Sequence, residues 1–548
     1  LAAEDVLTAA QPRWWGWAAG GREAPLAPAL ARLLDDALGL DGRERPAVAL
    51  EEVTLRAPTL TKRTRTRLEA IVGGEWVRSD HASRVLHCGG RSYLDLVTLR
   101  AGRPRGAPDA VVYPDSHEAV LAVLALCASE RVAVVPFGGG TSVTGGLAPT
   151  FGGQHAVVSL DLARLSGLLS VDAPSLTVTA ASGTRAPVLE AALAEHALTL
   201  GHYPDSFELV TIGGCAATRS VGQAASGYGR IDQAIQGVRF ATPAGELAPA
   251  ALPASASGPA LRELIVGSEG VLGVITGLLL RVRPRPAHQL YEGVAFESFE
   301  AGAEALRVAV QDEAAPDIVR LTDEIATSIA LAGGEGGRRR SPLRGGGLRH
   351  RGEVLLIVGW EGQSSTIARR RLHAMTLLRR GGGVALGEAP GRAWAASRFA
   401  GPSVRDELIA RGIFVEQFET AVPWSRLGAV RAGVLNALFG SLGSLGTPPL
   451  LGCQVAHVYP TGASLTFTAL ARAREGEEEE QWRIAKEAAG TAVVGAGATI
   501  SHHHGVGRDH VAWAAAELGE LGVATLRALK AQLDPAGVMN PGKLIAGA

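Results

Sequence analysis

The feature that most constrains this chain is Pro136-Phe137-Gly138-Gly139-Gly140-Thr141-Ser142, set directly after the apolar run Val132–Val135. Three consecutive glycines open backbone conformations closed to other residues, and they let successive N–H groups converge on one concavity that suits a pyrophosphate. Thr141 and Ser142 add hydroxyl donors. This is not a Walker loop, because no Gly-Lys-Ser/Thr follows, nor is it a GxGxxG fingerprint at a helix start. Taken alone, such a loop is as readily a tight structural turn as a ligand cradle.

The flanking pattern gives the loop its setting. Ala110–Tyr113 reads as a short apolar strand. Asp115, with Glu118 three residues on, fits a capping box that opens a helix running to about Glu130. Strand, helix and strand in that order indicate an α/β domain. Val157–Leu160 and Leu176–Ala180 continue it as strands, Pro187–His196 as a helix, and Val274–Val282 as a buried strand. Pro284 and Pro286 mark a domain exit. Beyond them, strands at Leu290–Phe296 and Glu353–Gly359 alternate with helices at Phe299–Val310 and Ser364–Arg379, the pattern of a second, α+β domain. Gly333–Gly352 is expected to be a surface loop, and Glu477–Glu480 a solvated helix start. Before the first domain lie an aromatic cluster, Trp14-Trp15-Gly16-Trp17, and a helical spacing over Leu26–Leu40.

Composition removes several function classes. The 548 residues exceed one hydrophobic core, so two to four domains or subdomains are expected. With 53 basic and 54 acidic residues the net charge is −1, which gives no long-range pull on nucleic acid or an anionic membrane. The four cysteines, Cys88, Cys127, Cys215 and Cys453, form no CxxC pair and read as buried, reduced residues. No apolar run is long enough to span a bilayer, and neither a secretory signal nor an SKL-type address is seen, so the expected location is cytoplasmic.

Three later segments follow the glycine loop in order: Pro204-Asp205-Ser206-Phe207-Glu208-Leu209-Val210-Thr211-Ile212-Gly213-Gly214, then Ala217-Thr218-Arg219-Ser220, then Glu269-Gly270-Val271-Leu272-Gly273-Val274-Ile275-Thr276. Together they resemble the FAD-binding domain of the vanillyl-alcohol oxidase / p-cresol methylhydroxylase (PCMH) flavoprotein superfamily. The resemblance implies that Pro136 to Ser142 bind the pyrophosphate. It also implies that Asp205, Ser206, Thr211, Gly213, Ala217, Thr218, Arg219, Ser220, Glu269, Gly270, Gly273, Val274 and Ile275 hold the rest of FAD. No His or Cys lies in the glycine loop, so the flavin is expected to be non-covalent. A bulky side chain at Gly139 is expected to block the pyrophosphate's approach.

Further segments resemble the alkyldihydroxyacetonephosphate synthase family in particular. They are Trp15-Gly16-Trp17, Asp317-Ile318-Val319-Arg320-Leu321, Arg405-Asp406, Glu416-Gln417-Phe418-Glu419-Thr420 with Pro423-Trp424, and Ser501-His502-His503-His504-Gly505-Val506-Gly507. The fold this implies is α+β: a two-part PCMH-type FAD-binding domain (106–286), a second substrate or cap domain (287–500) and a C-terminal segment (501–548) that carries the histidines and packs back on the FAD domain. An N-terminal helical and irregular region (1–105) comes first. The implied activity is a redox-neutral exchange of acyl for alkyl on dihydroxyacetone phosphate, which forms an ether lipid. The implied partners are a lipid-like phosphate, a long-chain alcohol, a second copy of the chain and a bilayer surface.

The candidate catalytic residues are Arg405, Arg320, His502, His503, His504, Tyr459 and Thr466. A guanidinium fork at Arg405 suits phosphate, whereas Arg320 serves equally as a salt-bridge partner. The histidines follow an apparent strand, Ala498–Ser501, so His502 and His504 could share one face and hold a metal. With no carboxylate or Cys beside them in sequence, neutral imidazoles acting as acid, base or oxyanion donor are the reading, and no metal is assigned. The family's catalytic Tyr position holds Thr466, and an aliphatic hydroxyl cannot act as a phenol does. Either Tyr459 or a histidine takes that role, or the enzyme is an FAD-linked dehydrogenase or oxidase of a 2-hydroxy acid or alcohol. A non-catalytic flavin- and lipid-binding protein is the remaining alternative.

Overall fold

The computed structural model describes residues 13–17, 25–40, 42–333 and 354–547. The first sheet is built from β1 (Val77–Arg78), β2 (Ala110–Val112), β3 (Val132–Phe137) and β4 (Ala156–Asp161), in the order β1-β2-β4-β3. Strands β2, β4 and β3 run parallel. Strands β2 and β4 are buried along their whole length, as a parallel sheet covered on both faces requires. The helix between β2 and β3 spans His117–Glu130 and is capped one residue later than the sequence pattern predicts. Ser116, in extended conformation, accepts the Ala119 N–H, while Asp115 pairs instead with Arg164 at 3.1 Å.

A second, antiparallel sheet contains β5 (Leu168–Asp172), β6 (Thr177–Ala181), β8 (Ile235–Thr242), β9 (Gly245–Leu247) and β10 (Val274–Arg281), ordered β5-β6-β10-β8-β9. A ribbon of β7 (Leu198–Thr199) and β11 (Arg283–Pro284) lies beside it. The third sheet has seven antiparallel strands: β12 (His288–Phe296), β13 (Ile318–Thr322), β14 (Val354–Gly362), β15 (Val384–Gly387), β16 (Ile413–Pro423), β17 (Leu450–Tyr459) and β18 (Gly462–Arg472). Their order is β15-β12-β14-β13-β17-β18-β16. Helices Phe299–Gln311, Ser364–Arg380, Leu427–Ser444 and Glu478–Gly495 pack on this sheet. The expected surface loop Gly333–Gly352 lies outside the described residues, apart from Gly333, which ends the helix Glu324–Gly333.

The four cysteines are buried and free. Trp17 is buried, and its backbone N–H donates to Asp406 Oδ2 at 2.7 Å. Residues beyond 501 return to the first sheet. Val134 accepts from the Asn540 N–H and donates to the Val538 carbonyl, both at 2.8 Å, which covers the edge of β3. Lys543, fully buried, donates to the carbonyls of Ala148 and Pro541 and to the Thr150 hydroxyl.

One local expectation fails. Ala498–Ser501 forms no strand; residues 496–505 run as turns and bends. The segment is tied to the edge of β16 by Thr499 N–H to Ala421 O (3.2 Å) and by the Thr420 hydroxyl to Thr499 O (2.6 Å). The next residues then curl around a side chain of that strand, so His502 and His504 do not share the face of an extended segment.

Candidate active site

A cavity of about 530 Å³ lies between the glycine loop and one face of the seven-stranded sheet. Its first wall is the loop from Pro136 to Ser142, with Asp205, Ser206, Thr211, Gly213, Ala217, Thr218, Ser220, Glu269, Gly270, Gly273, Val274 and Ile275. Arg219 does not line it; its guanidinium donates to the carbonyls of Val266 and Glu263. Gly140 takes φ +71°, a conformation that favours glycine. A Cβ at Gly139 would run into the Leu209 carbonyl, and one at Gly138 into the Thr211 hydroxyl. Close packing of the loop on residues 209–211, rather than clearance for the ligand, therefore excludes side chains here. The Ser268 hydroxyl and the Gln223 Oε1 line the cavity, buried and without a protein partner. Such orphaned polar atoms in a small-residue cradle fit a flat ligand with a polar edge, as FAD is.

The second wall is set by strand register. Thr322, Gln454, Thr466 and Glu419 face one another across β13, β17, β18 and β16. The next row is Gly452, Thr468 and Gln417, and the one after it ends in Leu470 and Val415. Polarity thus falls along the sheet. The apolar end is closed by Trp17, Leu30, Leu34, Ile329, Ala330 and Leu408. At the polar end, β17 breaks register between Val455 and Val458. This bulge reverses the alternation, so that His457 joins Gln454 and Ala456 in lining the cavity.

Two arginines line the cavity. Arg405 donates to the Val415 carbonyl (3.1 Å) at the open edge of β16 and lies 3.5 Å from Glu416, while its Nε is buried without a partner. Arg320 is held by Gln454 at 3.1 Å. A guanidinium with an unused buried N–H is a site for an anionic oxygen.

The histidines gather around Glu419. Its Oε1 accepts from the Ser501 hydroxyl (3.0 Å) and from the backbone N–H groups of His502, His503 and His504 (3.0, 2.8 and 2.7 Å). Its Oε2 lies 2.5 Å from His503 Nδ1. Burial alone would raise this carboxyl, but the surrounding imidazoles, His503 first, outweigh it and hold Glu419 well below the usual carboxylate range. Burial also opposes a charge on His503, yet Glu419 wins and its pKa rises. The remaining imidazoles are neutral: burial and His503 push His457 down to about 3, and burial pushes His504 down to about 4. Burial, with His457 and His503, holds His502 well below the ordinary value. One imidazolium–carboxylate pair therefore sits among neutral rings. His502 Nδ1 is 2.9 Å from His503 Nδ1, and His502 Nε2 is 2.6 Å from the Tyr459 hydroxyl. Glu419, His502 and His503 also offer ligand-type atoms within 4.8 Å of one another, but Oε1 is already occupied by four donors.

Of the sequence candidates, His503, His504, Arg320, Arg405 and Thr466 line the cavity; His502 and Tyr459 stand behind them. Sequence reading left out Glu419 and His457 as site residues. A glutamate buried on a strand otherwise rich in apolar residues was the available signal for the first. The second depends on a bulge that alternation cannot foretell. The histidine loop is joined to the glycine loop: Thr144 O accepts from the Arg508 and Asp509 N–H groups, and Glu269 accepts from those of Val506 (2.6 Å) and Gly507 (2.7 Å).

Comparison with known proteins gives a consistent picture. Residues 108–250 match the family described as FAD binding domain, and residues 285–544 the C-terminal domain of FAD linked oxidases. The chain is 30% identical over 512 residues to the alkyldihydroxyacetonephosphate synthase of Dictyostelium discoideum, covering 92% of this chain and 84% of that one. It is 29% identical over 540 residues to that of Trypanosoma brucei brucei, covering 95% and 88%. A solved alkyldihydroxyacetonephosphate synthase superposes with a TM-score of 0.85 at 26% identity, covering 97% of this chain and 99% of the other.

Proposed function

The chain belongs to the alkyldihydroxyacetonephosphate synthase family, and from that premise we propose that it replaces the acyl group of acyl-dihydroxyacetone phosphate by the alkyl group of a long-chain alcohol. FAD is its cofactor. The glycine loop, the segments around Asp205, Thr211 and Ser220, and Glu269 to Ile275 would hold it, and when bound it supplies a ring able to take and return an electron pair.

The observation that carries this reading is the mixed lining of the cavity, cationic donors on one part and an apolar arm on another. Arg320, held by Gln454, and Arg405, with its unpartnered Nε beside Val415, supply cationic donors. Trp17, Leu30, Leu34, Ile329, Ala330 and Leu408 supply an apolar arm. A phosphate-headed long chain has the same two ends. In this scheme Arg405 binds the phosphate and Arg320 assists. His503 and His504 face the reacting carbons and exchange protons with them. Thr466 contributes shape, since its hydroxyl cannot titrate in the working range. The divisions 106–286, 287–500 and 501–548 serve as working units of flavin binding, substrate binding and return.

Thr466, in the position of the family's tyrosine, is the observation that favours a second reading: an FAD-linked dehydrogenase or oxidase of a 2-hydroxy acid or alcohol. An anaerobic visible spectrum of the flavin-loaded protein separates the two. The proposal expects a spectral change on adding acyl-dihydroxyacetone phosphate, and fatty acid with an alkyl ether product once hexadecanol follows. Bleaching by a D-2-hydroxy acid, reversed by an electron acceptor, would mark the dehydrogenase. Bound FAD that answers no donor would mark a binding protein. No helix among the described residues is long and apolar enough to cross a membrane. A cytoplasmic homodimer that meets its lipids at a bilayer surface completes the proposal, and sedimentation and liposome flotation test it.

A further inference from the structure

The exchange assigned above leaves one proton to be disposed of. The ester C–O bond breaks with its electron pair on the departing carboxylate, the alcohol O–H bond breaks, and an ether C–O bond forms. At neutral pH the fatty acid leaves ionised, so the alcohol's proton remains in a cavity walled by protein. A guanidinium has donors and no acceptor, so neither arginine can take it, and His457 and His504, pushed down by burial to about 3 and 4, do not keep it. His503 lines the cavity but is held as an imidazolium by Glu419. It can take a proton on its far nitrogen only by giving up the one on Nδ1.

We propose that His503, His502 and Tyr459 form the proton exit of this enzyme, with Glu419 as the positioning residue that holds its inner end. The inference rests on the ether-forming reading and adds a direction of transfer to it. Each link is at hydrogen-bond distance: His503 Nδ1 to His502 Nδ1 at 2.9 Å, and His502 Nε2 to the Tyr459 hydroxyl at 2.6 Å. Paired Nδ1 atoms share a single proton, because two N–H groups cannot point at each other. His502 is 5% exposed and does not line the cavity, so substrate contact gives it no role; transfer does. His502 also faces His457 and Arg230. Burial, with His457 and the neighbouring His503, keeps it neutral at rest, so a proton that arrives there moves on.

The outer end lies nearer solvent: Tyr459 is half-buried and is followed by the exposed Pro460. Arg230 and Asp232 face the Tyr459 hydroxyl, and Arg230 Nε lies 3.3 Å from Asp232. The inner end is fixed by the carboxylate that three successive amides and the Ser501 hydroxyl hold in place. Oε2 is left 2.5 Å from His503 Nδ1, where its charge holds the ring in place. The β-bulge at Ala456–His457 supplies the last element, since it turns Tyr459 toward His502.

The test uses the flavin-loaded enzyme and Tyr459→Phe, which removes one hydroxyl outside the cavity. With acyl-dihydroxyacetone phosphate and hexadecanol in weak buffer, turnover should fall about tenfold or more. Bound flavin and KM for the acyl phosphate should be unchanged, and the solvent deuterium isotope effect should rise. Imidazole added at high concentration should restore part of the rate, which a merely structural loss would not allow. His502→Asn interrupts the same path at its middle, so the double variant should lose no more than the worse single one. Turnover by Tyr459→Phe at the unaltered rate, or multiplicative losses in the double variant, would overturn the path while leaving the ether-forming reading intact. If the unaltered enzyme releases no fatty acid, premise and path fall together.

Discussion

The glycine loop and the histidine loop face the same cavity and are built on opposite principles. Residues 136–146 make their site from backbone: Gly140 and Gly145 take positive φ, and Gly138 and Gly139 allow contact with residues 209–211. Residues 501–504 make theirs from side chains that become chemically distinct only through a partner more than eighty residues earlier, Glu419. In the first region almost any substitution fails for steric reasons and charge hardly matters. In the second, shape can survive while the protonation pattern is lost. A binding site can thus be written in residue size, whereas an acid–base site here is written in the pairing of one anion with one ring among several.

The largest effect expected is in the first region. Gly139→Leu places atoms against the Leu209 carbonyl and should give protein essentially free of flavin, read from the ratio of visible to ultraviolet absorbance. Stoichiometric FAD in that variant would show the loop to be more forgiving than its packing implies. Next, His503→Ala with His504→Ala should lower turnover roughly 10²- to 10⁴-fold while the yellow flavin stays bound. Loss of flavin there would erase the contrast between the two loops.

Glu419→Gln sharpens the comparison thermodynamically. It keeps an oxygen for the three amides but removes the charge that holds His503 protonated, at a cost of about 1–3 kcal/mol in urea denaturation. The sign follows from the two shifts. The depressed Glu419 contributes stability that is present above its unfolded value, about 4.3, and lost as pH falls through the folded one. The raised His503 contributes stability present below its unfolded value, about 6.5, and lost as pH rises through the folded one. The difference between variant and unaltered protein should therefore be greatest between about pH 5 and 6.5 and shrink on either side. A difference independent of pH would mean that Glu419 acts only by packing. The smallest effect is expected from Thr466→Val, which should change turnover by less than about threefold because no titrating group is lost. A large loss would return Thr466 to the proton chemistry.

The same contrast explains what could be read from sequence. Glycine, hydroxyl and small residues at positions 136–142, 205–220 and 269–275 carry their conformational meaning locally, and the elements between them follow from apolar periodicity. The helix cap at Ser116 was missed by one residue because Asp115 and Ser116 are both good caps and only the tertiary pairing of Asp115 with Arg164 decides between them. The extended geometry expected for the histidines failed for a related reason. Ala498–Ser501 has strand composition, but a buried carboxylate on β16 draws the following amides into a curl. Arg405 follows from its family motif; its anchor, the Val415 carbonyl on the open edge of β16, is one that no local pattern announces.

The return of residues 538–543 to the first sheet has a consequence for how the molecule is made. Strand β3 is the edge of its sheet until Val538, Asn540 and their neighbours cover it. On the ribosome that edge is synthesised about four hundred residues before its cover. A nascent chain therefore carries an uncapped parallel edge through most of translation, open to pairing with a neighbouring polysome product.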